Sequence, residues 1–120
     1  MNDMNALASF DWAVAVYVAS TIHEDWARAA ELERRLTYLG APPDLLENIR
    51  RGAGMWSATD DDRTEVIVSY AARFAREPRS VDARDIERLE GVGMTRDAIV
   101  ELNSAVAFVI QAAHAAGTTQ

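Results

Sequence analysis

The 120-residue chain contains no cysteine. That excludes disulfides, thiolate catalysis, cysteine-ligated zinc and iron–sulfur clusters. Lysine is also absent, so arginine supplies all 12 positive charges against 19 acidic residues, a net charge of −7. A surface so acidic repels nucleic acid and anionic membranes, and neither is expected as a partner. Proline occurs three times and glycine six, mostly between apolar-periodic stretches. Few breakers together with abundant alanine favour helix. The most apolar run, Ala105 to Ala116, is interrupted by Gln111 and His114 and reads as too short to span a bilayer. No basic segment followed by an apolar core and a cleavage site opens the chain, so a cytoplasmic location without a secretory signal is expected.

With 49% hydrophobic and 26% charged residues, the chain has the balance of one globular domain, assigned to residues 1–120. No window alternates with period two, and no strands are expected. The punctuation predicts six helices. The first runs from about Ala6 to Ser20 and is apolar nearly all round, with Phe10, Val14, Tyr17 and Val18 on one face and Trp12 and Val16 on another. Thr21 and Ile22 mark a break. The second runs from about His23 to Leu39, with Trp26, Ala29, Ala30, Leu36 and Leu39 inward and Gly40 as its C-terminal cap. A third spans Pro43 to Arg51, with Leu45, Leu46 and Ile49 inward, and a loop follows over Gly52 to Thr59. The fourth, about Asp61 to Glu77, buries Val66, Ile67, Tyr70, Ala71 and Phe74. Ser80 or Asp82 caps a short fifth helix ending near Glu90. Thr95 caps the last, about Arg96 to Ala116, with a stripe of Ile99, Leu102, Val106, Val109, Ile110 and Ala113.

Two stretches carry a resemblance. One is Leu-Thr-Tyr-Leu-Gly followed by Ala-Pro-Pro-Asp-Leu-Leu-Glu-Asn-Ile, from Leu36 to Ile49. The other is Arg-Glu-Pro-Arg-Ser-Val-Asp-Ala-Arg-Asp-Ile-Glu-Arg-Leu, from Arg76 to Leu89, continuing through Gly-Val-Gly-Met-Thr-Arg-Asp-Ala-Ile-Val-Glu-Leu. In order and spacing these pieces resemble the carboxymuconolactone decarboxylase and alkylhydroperoxidase D-like family over about Phe10 to Gly117. The resemblance implies an all-α, six-helix, alkylhydroperoxidase D-like bundle that assembles as a homo-oligomer (dimer, trimer or hexamer). Redox members of that family use a Cys-x-x-Cys-x-x-x-His motif at the start of the second helix. Counted back from Gly40, those positions hold Asp25, Arg28 and Leu32. A thiol peroxidase mechanism is therefore excluded. A two-residue insertion would instead bring His23 onto the first cysteine position, and would place Asp11 where redox members keep a proton-relay glutamate.

Without a thiol, chemistry falls to imidazole and carboxyl groups. The cluster His23, Glu24, Asp25 and Trp26 is the densest polar group at a helix start. It has two readings: a solvated cap in which the carboxylates meet the positive end of the helix dipole, or a histidine acid–base centre oriented by a carboxylate. Asp11 interrupts an apolar run. It is either a buried general acid or a first-turn residue facing water. His114 either lines a pocket with Gln111 or stabilises the helix C-terminus. Two isolated histidines lack metal-ligand spacing, so neither a metal nor another cofactor is expected. Trp12, Tyr17, Trp26 and Trp56 either wall a pocket for a flat apolar ligand or belong to the core and a subunit interface. The arginine pairs Arg34-Arg35 and Arg50-Arg51 read as solvated helix faces with Glu33 and Glu47 nearby.

The leading expectation is a cysteine-independent enzyme, a lyase or isomerase, acting on a small organic molecule by decarboxylation, elimination or isomerisation. His23 is its acid or base, Asp11, Glu24 or Asp25 is the second proton carrier, and Trp26, Tyr17, Trp56 and His114 contact substrate. The alternative is a non-catalytic, oligomeric small-ligand binding or assembly protein that kept the fold.

Overall fold

The computed structural model describes residues 7–52 and 62–118. Among them are six α-helices and no strand: α1 (Ser9–Ile22), α2 (Trp26–Tyr38), α3 (Pro43–Gly52), α4 (Asp62–Arg76), α5 (Ala83–Gly91) and α6 (Arg96–Thr118), with a 3-10 turn at Pro78–Ser80 between α4 and α5. The all-α expectation holds. The expected loop at Gly52 to Thr59, including Trp56, lies almost wholly outside the described residues.

Helix α1 is the axis of the fold. It packs against α2, α4 and α6 and also touches α3. A helix covered on so many sides needs no polar face, which is why its sequence is apolar nearly all round. Everything from Ala13 to Ser20 is buried. Ala13, Ala15 and Ala19 keep the neighbouring backbones close, and Val14, Tyr17 and Val18 fill the volume between them. Buried Ser20 satisfies its hydroxyl by donating to the carbonyl of Val16 one turn back, at 2.7 Å.

Helix α2 departs from its expected inner stripe. Its buried residues are Ala29, Leu32 and Leu36, whereas Trp26 is 54% exposed and Leu39 39% exposed, and Ala30 faces solvent. The helix starts at Trp26, after Asp25, rather than at His23. Positions 29, 32 and 36 then share the face that meets α1. The expected faces of the other helices hold. Leu45, Leu46 and Ile49 of α3 are buried, as are Ile67, Tyr70 and Ala71 of α4 and Ile99, Leu102, Val106 and Val109 of α6. Val66, Phe74 and Ile110 pack against that core partly buried.

The caps follow side-chain chemistry. Asp82, not Ser80, opens α5. Its carboxylate accepts from the amides of Arg84 and Asp85, while Asp85 accepts from the Asp82 amide at 3.0 Å, a reciprocal capping box. Thr95 Oγ1 accepts from the Ala98 amide at 3.1 Å at the head of α6. Three helices end with one motif, a six-to-one hydrogen bond outside a shorter one. Asp25 N–H donates to Ser20 O, Ala41 to Leu36 and Met94 to Leu89, and inside these Glu24 donates to Thr21, Gly40 to Thr37 and Gly93 to Glu90. The inner donor sits in the left-handed region each time, at φ 59° for Glu24, 94° for Gly40 and 95° for Gly93. Glycine adopts that conformation without strain, and glutamate does not.

Helix α6 runs past Gly117 to Thr118. Expected to be too short for a membrane, its apolar run belongs to a longer stretch. Arg96–Ala115 is long and apolar enough by length and composition, with mean hydropathy 1.4, a test that core helices of soluble proteins also pass. One face packs into the bundle, while Val100 and Phe108 stand 62% and 60% exposed on the outside.

Candidate functional site

The turn between α1 and α2 holds His23, Glu24 and Asp25. His23 caps the C-terminus of α1 and is half-buried. Its Nε2 lies 3.0 Å from the carbonyl oxygen of Ala75, which can only accept, so Nε2 carries the proton in this contact. The ring meets His114 of α6 edge-on, with centroids 6.4 Å apart. Asp25 is a helix cap. It accepts from the Arg28 amide at 3.3 Å and from Arg28 Nε at 2.9 Å. The Arg28 side-chain hydrogen bond holds its carboxyl below the ordinary range, with burial opposing. Glu24 points to solvent.

Asp11 lies elsewhere. It is 12 residues before His23 on α1, about 18 Å along the axis at 1.5 Å per residue. It is buried at 5% exposure. The guanidinium of Arg63 from α4 holds it, with Nε at 3.1 Å and Nη2 at 2.9 Å from Oδ2, while Nη1 donates to the carbonyl of Val92 at 2.8 Å. One arginine thus joins α4, the first turn of α1 and the loop before α6.

Tyr17 sits midway and is fully buried. Its hydroxyl donates to Glu33 Oε2 at 2.6 Å, and Arg50 of α3 reaches the same oxygen through Nε at 3.1 Å and Nη2 at 2.8 Å. Burial pushes the phenol up to about 12, and the hydrogen bond to Glu33 and its charge act in the same direction. The Tyr17 hydrogen bond in turn leads the groups that lower the Glu33 carboxyl. This is a clasp between α1, α2 and α3, with no ring face offered to a ligand. Arg51 pairs with Glu47 at 3.0 Å across one helical turn, as its spacing predicts.

The concave surface lies on another side. A cleft of about 590 Å³ opens between α1, α2 and α6, within the range of small-molecule sites. Val16, Leu32, Ala105 and Val109 form an apolar floor, Trp12 and Phe108 the walls, and Arg28, Glu31 and Arg35 the rim. The guanidinium of Arg28 lies 5.2 Å from the Phe108 ring centroid, and that of Arg35 lies 5.6 Å from the Trp12 ring. Each is a cation–π contact. A second depression of about 550 Å³ continues past Trp12, Arg35 and Ala105 to Leu7, Val100 and Glu101.

Of the residues expected to form a site, His23 and His114 meet each other, Asp25 joins Arg28, and Asp11 and Tyr17 are each held by other partners. None of these, and neither Glu24 nor Trp26, lines the cleft. Trp56 lies outside the described residues. Arg28, Glu31, Leu32, Arg35 and Phe108 were missed as site residues. One signal for them was present: Phe108 falls outside the inward stripe of the last helix, and Arg28 and Arg35 stand seven residues apart, two turns along one face. No family model matches the chain, and no curated protein matches it.

Proposed function

We propose that this chain is a binding protein for a small, flat, largely apolar molecule, held in the cleft between α1, α2 and α6. One observation carries the reading. The cleft of about 590 Å³ is floored by aliphatic side chains and walled by Trp12 and Phe108, and it contains neither His23 nor Asp11. Acid–base turnover of the kind expected needs His23 and a second proton carrier within hydrogen-bond reach of one substrate. Asp11 lies about 18 Å from His23 along α1, Asp25 is held by Arg28 and Glu24 points to solvent, which favours the non-catalytic alternative. The relation to the alkylhydroperoxidase D-like fold belongs to the same proposal. It is supported by the order of helices and by the cleft itself, where Arg28 and Leu32 hold the second-cysteine and histidine positions of the family motif and lie on its rim and floor.

Self-association is part of the reading, favoured by the exposed Val100 and Phe108 on α6. The expectation of no nucleic-acid or anionic-membrane partner rests on the charge of −7. The test is a fragment library titrated into the protein and into His23→Ala and Asp11→Asn variants. Equal binding by all three, with no turnover of any fragment, is the expected result. Turnover that disappears in both variants with assembly unchanged would restore the acid–base enzyme.

A further inference from the structure

Resting on that binding reading, we propose that the cleft selects aromatic molecules bearing a single carboxylate, with Arg35 as the group that holds the carboxylate. The two rim arginines are not equivalent. Arg28 is committed, since its Nε donates to Asp25 Oδ2 at 2.9 Å and its charge is matched. Arg35 is in no ion pair among the described residues. Its guanidinium is instead held over the Trp12 ring at 5.6 Å. No hydrogen bond or ion pair among the described residues occupies its N–H donors, and those donors match the two oxygens of a carboxylate. Trp12 belongs to the wall of both depressions, so a ring lying on the aliphatic floor beside it brings its substituent to Arg35.

Glu31 sets the limit on charge. It lies one turn before Arg35 on α2 and shares the rim of the same cleft. It too is in no ion pair among the described residues. One anionic group can be matched by Arg35, but a second would meet the Glu31 carboxylate. The site therefore prefers a monoanion over both a neutral molecule and a dianion.

The experiment is calorimetric titration with three rings of one shape: 2-naphthoate, neutral 2-naphthamide and naphthalene-2,6-dicarboxylate. Wild-type protein should bind naphthoate about 10-fold tighter than the amide, the scale of one charge-assisted pair at a partly open rim. Arg35→Gln should abolish that preference while changing amide affinity less than about two-fold. Glu31→Gln should strengthen both anions, the dicarboxylate most. Trp12→Ala should weaken all three ligands. Amide binding as tight as naphthoate, or a preference that survives Arg35→Gln, overturns the carboxylate assignment and leaves the binding reading intact. If none of the three rings binds, both fall. A loss shared equally by amide and naphthoate in Arg35→Gln would make Arg35 a packing residue and also overturn the assignment.

Discussion

Replacing Arg63 with Met removes the guanidinium that holds Asp11 and keeps most of the aliphatic stem. Its hydrogen bonds to Asp11 Oδ2 and to the Val92 carbonyl go with it. The larger effect is what remains: a carboxylate with 8% side-chain exposure in an apolar helix, with its arginine partner gone. Breaking a fully buried pair from one side costs about 3–5 kcal/mol. The Arg63 side chain is 36% exposed, so water can enter the vacated space and the expected loss falls to roughly 2–3 kcal/mol. At about 2.1 cal/mol/K of unfolding entropy per residue, a chain of 120 residues would then melt roughly 8–12 °C lower. Asp11→Asn keeps an acceptor and removes the charge, and should cost roughly 1–2 kcal/mol. The informative quantity is the coupling in the double variant. Urea unfolding followed by helical circular dichroism should give a double variant at least ~1 kcal/mol more stable than the two single losses add up to. Additivity within ~0.3 kcal/mol would mean that Asp11 and Arg63 do not depend on each other, and would refute the pairing.

Three further outcomes follow from the helix ends and the Tyr17 clasp. The phenol of Tyr17 is raised when folded, so its contribution is complete below pH 10 and is lost as pH rises toward 12. An alkaline unfolding titration should show roughly 2–3 kcal/mol of stability lost over that window, and Tyr17→Phe should flatten it. Glu33 has the opposite sign. Its lowered carboxyl stabilises the fold above the ordinary carboxylate range and ceases to do so as pH falls through its folded value, so Glu33→Gln should blunt the acid limb of the same titration. Glu24→Gly relieves the one left-handed glutamate among the described residues and should raise stability by about 0.5–1 kcal/mol in urea, whereas Gly40→Ala should lower it by about 1–2 kcal/mol.

The helices were legible because their signals are local. Asp82 with Asp85, Thr95, Gly40 and Gly93 punctuate the chain through bonds made within five residues. The all-round apolarity of α1 announced a central helix for the same reason. Side chains whose roles are set by distant partners were not legible. Asp11 could be read as buried or solvated, and only Arg63, 52 positions away, decides it. Tyr17 looked like pocket wall until Glu33 and Arg50 engaged its hydroxyl. The mistaken inner stripe of α2 has a similar origin. Taking His23 as the start of the helix put Trp26 inward, but α1 runs to Ile22, the amides of Glu24 and Asp25 close it on Thr21 and Ser20, and Asp25 caps the next helix. The cleft was hidden most completely, since it is built from three helices and its arginines carry the same sequence signature as a solvated face.

Small molecules are expected to engage the face shared by α1, α2 and α6 and not the His23 turn. Amide and methyl chemical-shift mapping with 2-naphthoate tests it in one experiment. Perturbations should concentrate at Val16, Leu32, Ala105 and Val109, with the signals around His23 and Ala75 unmoved. Shifts centred on His23, Ala75 and His114, with the cleft residues silent, would contradict it.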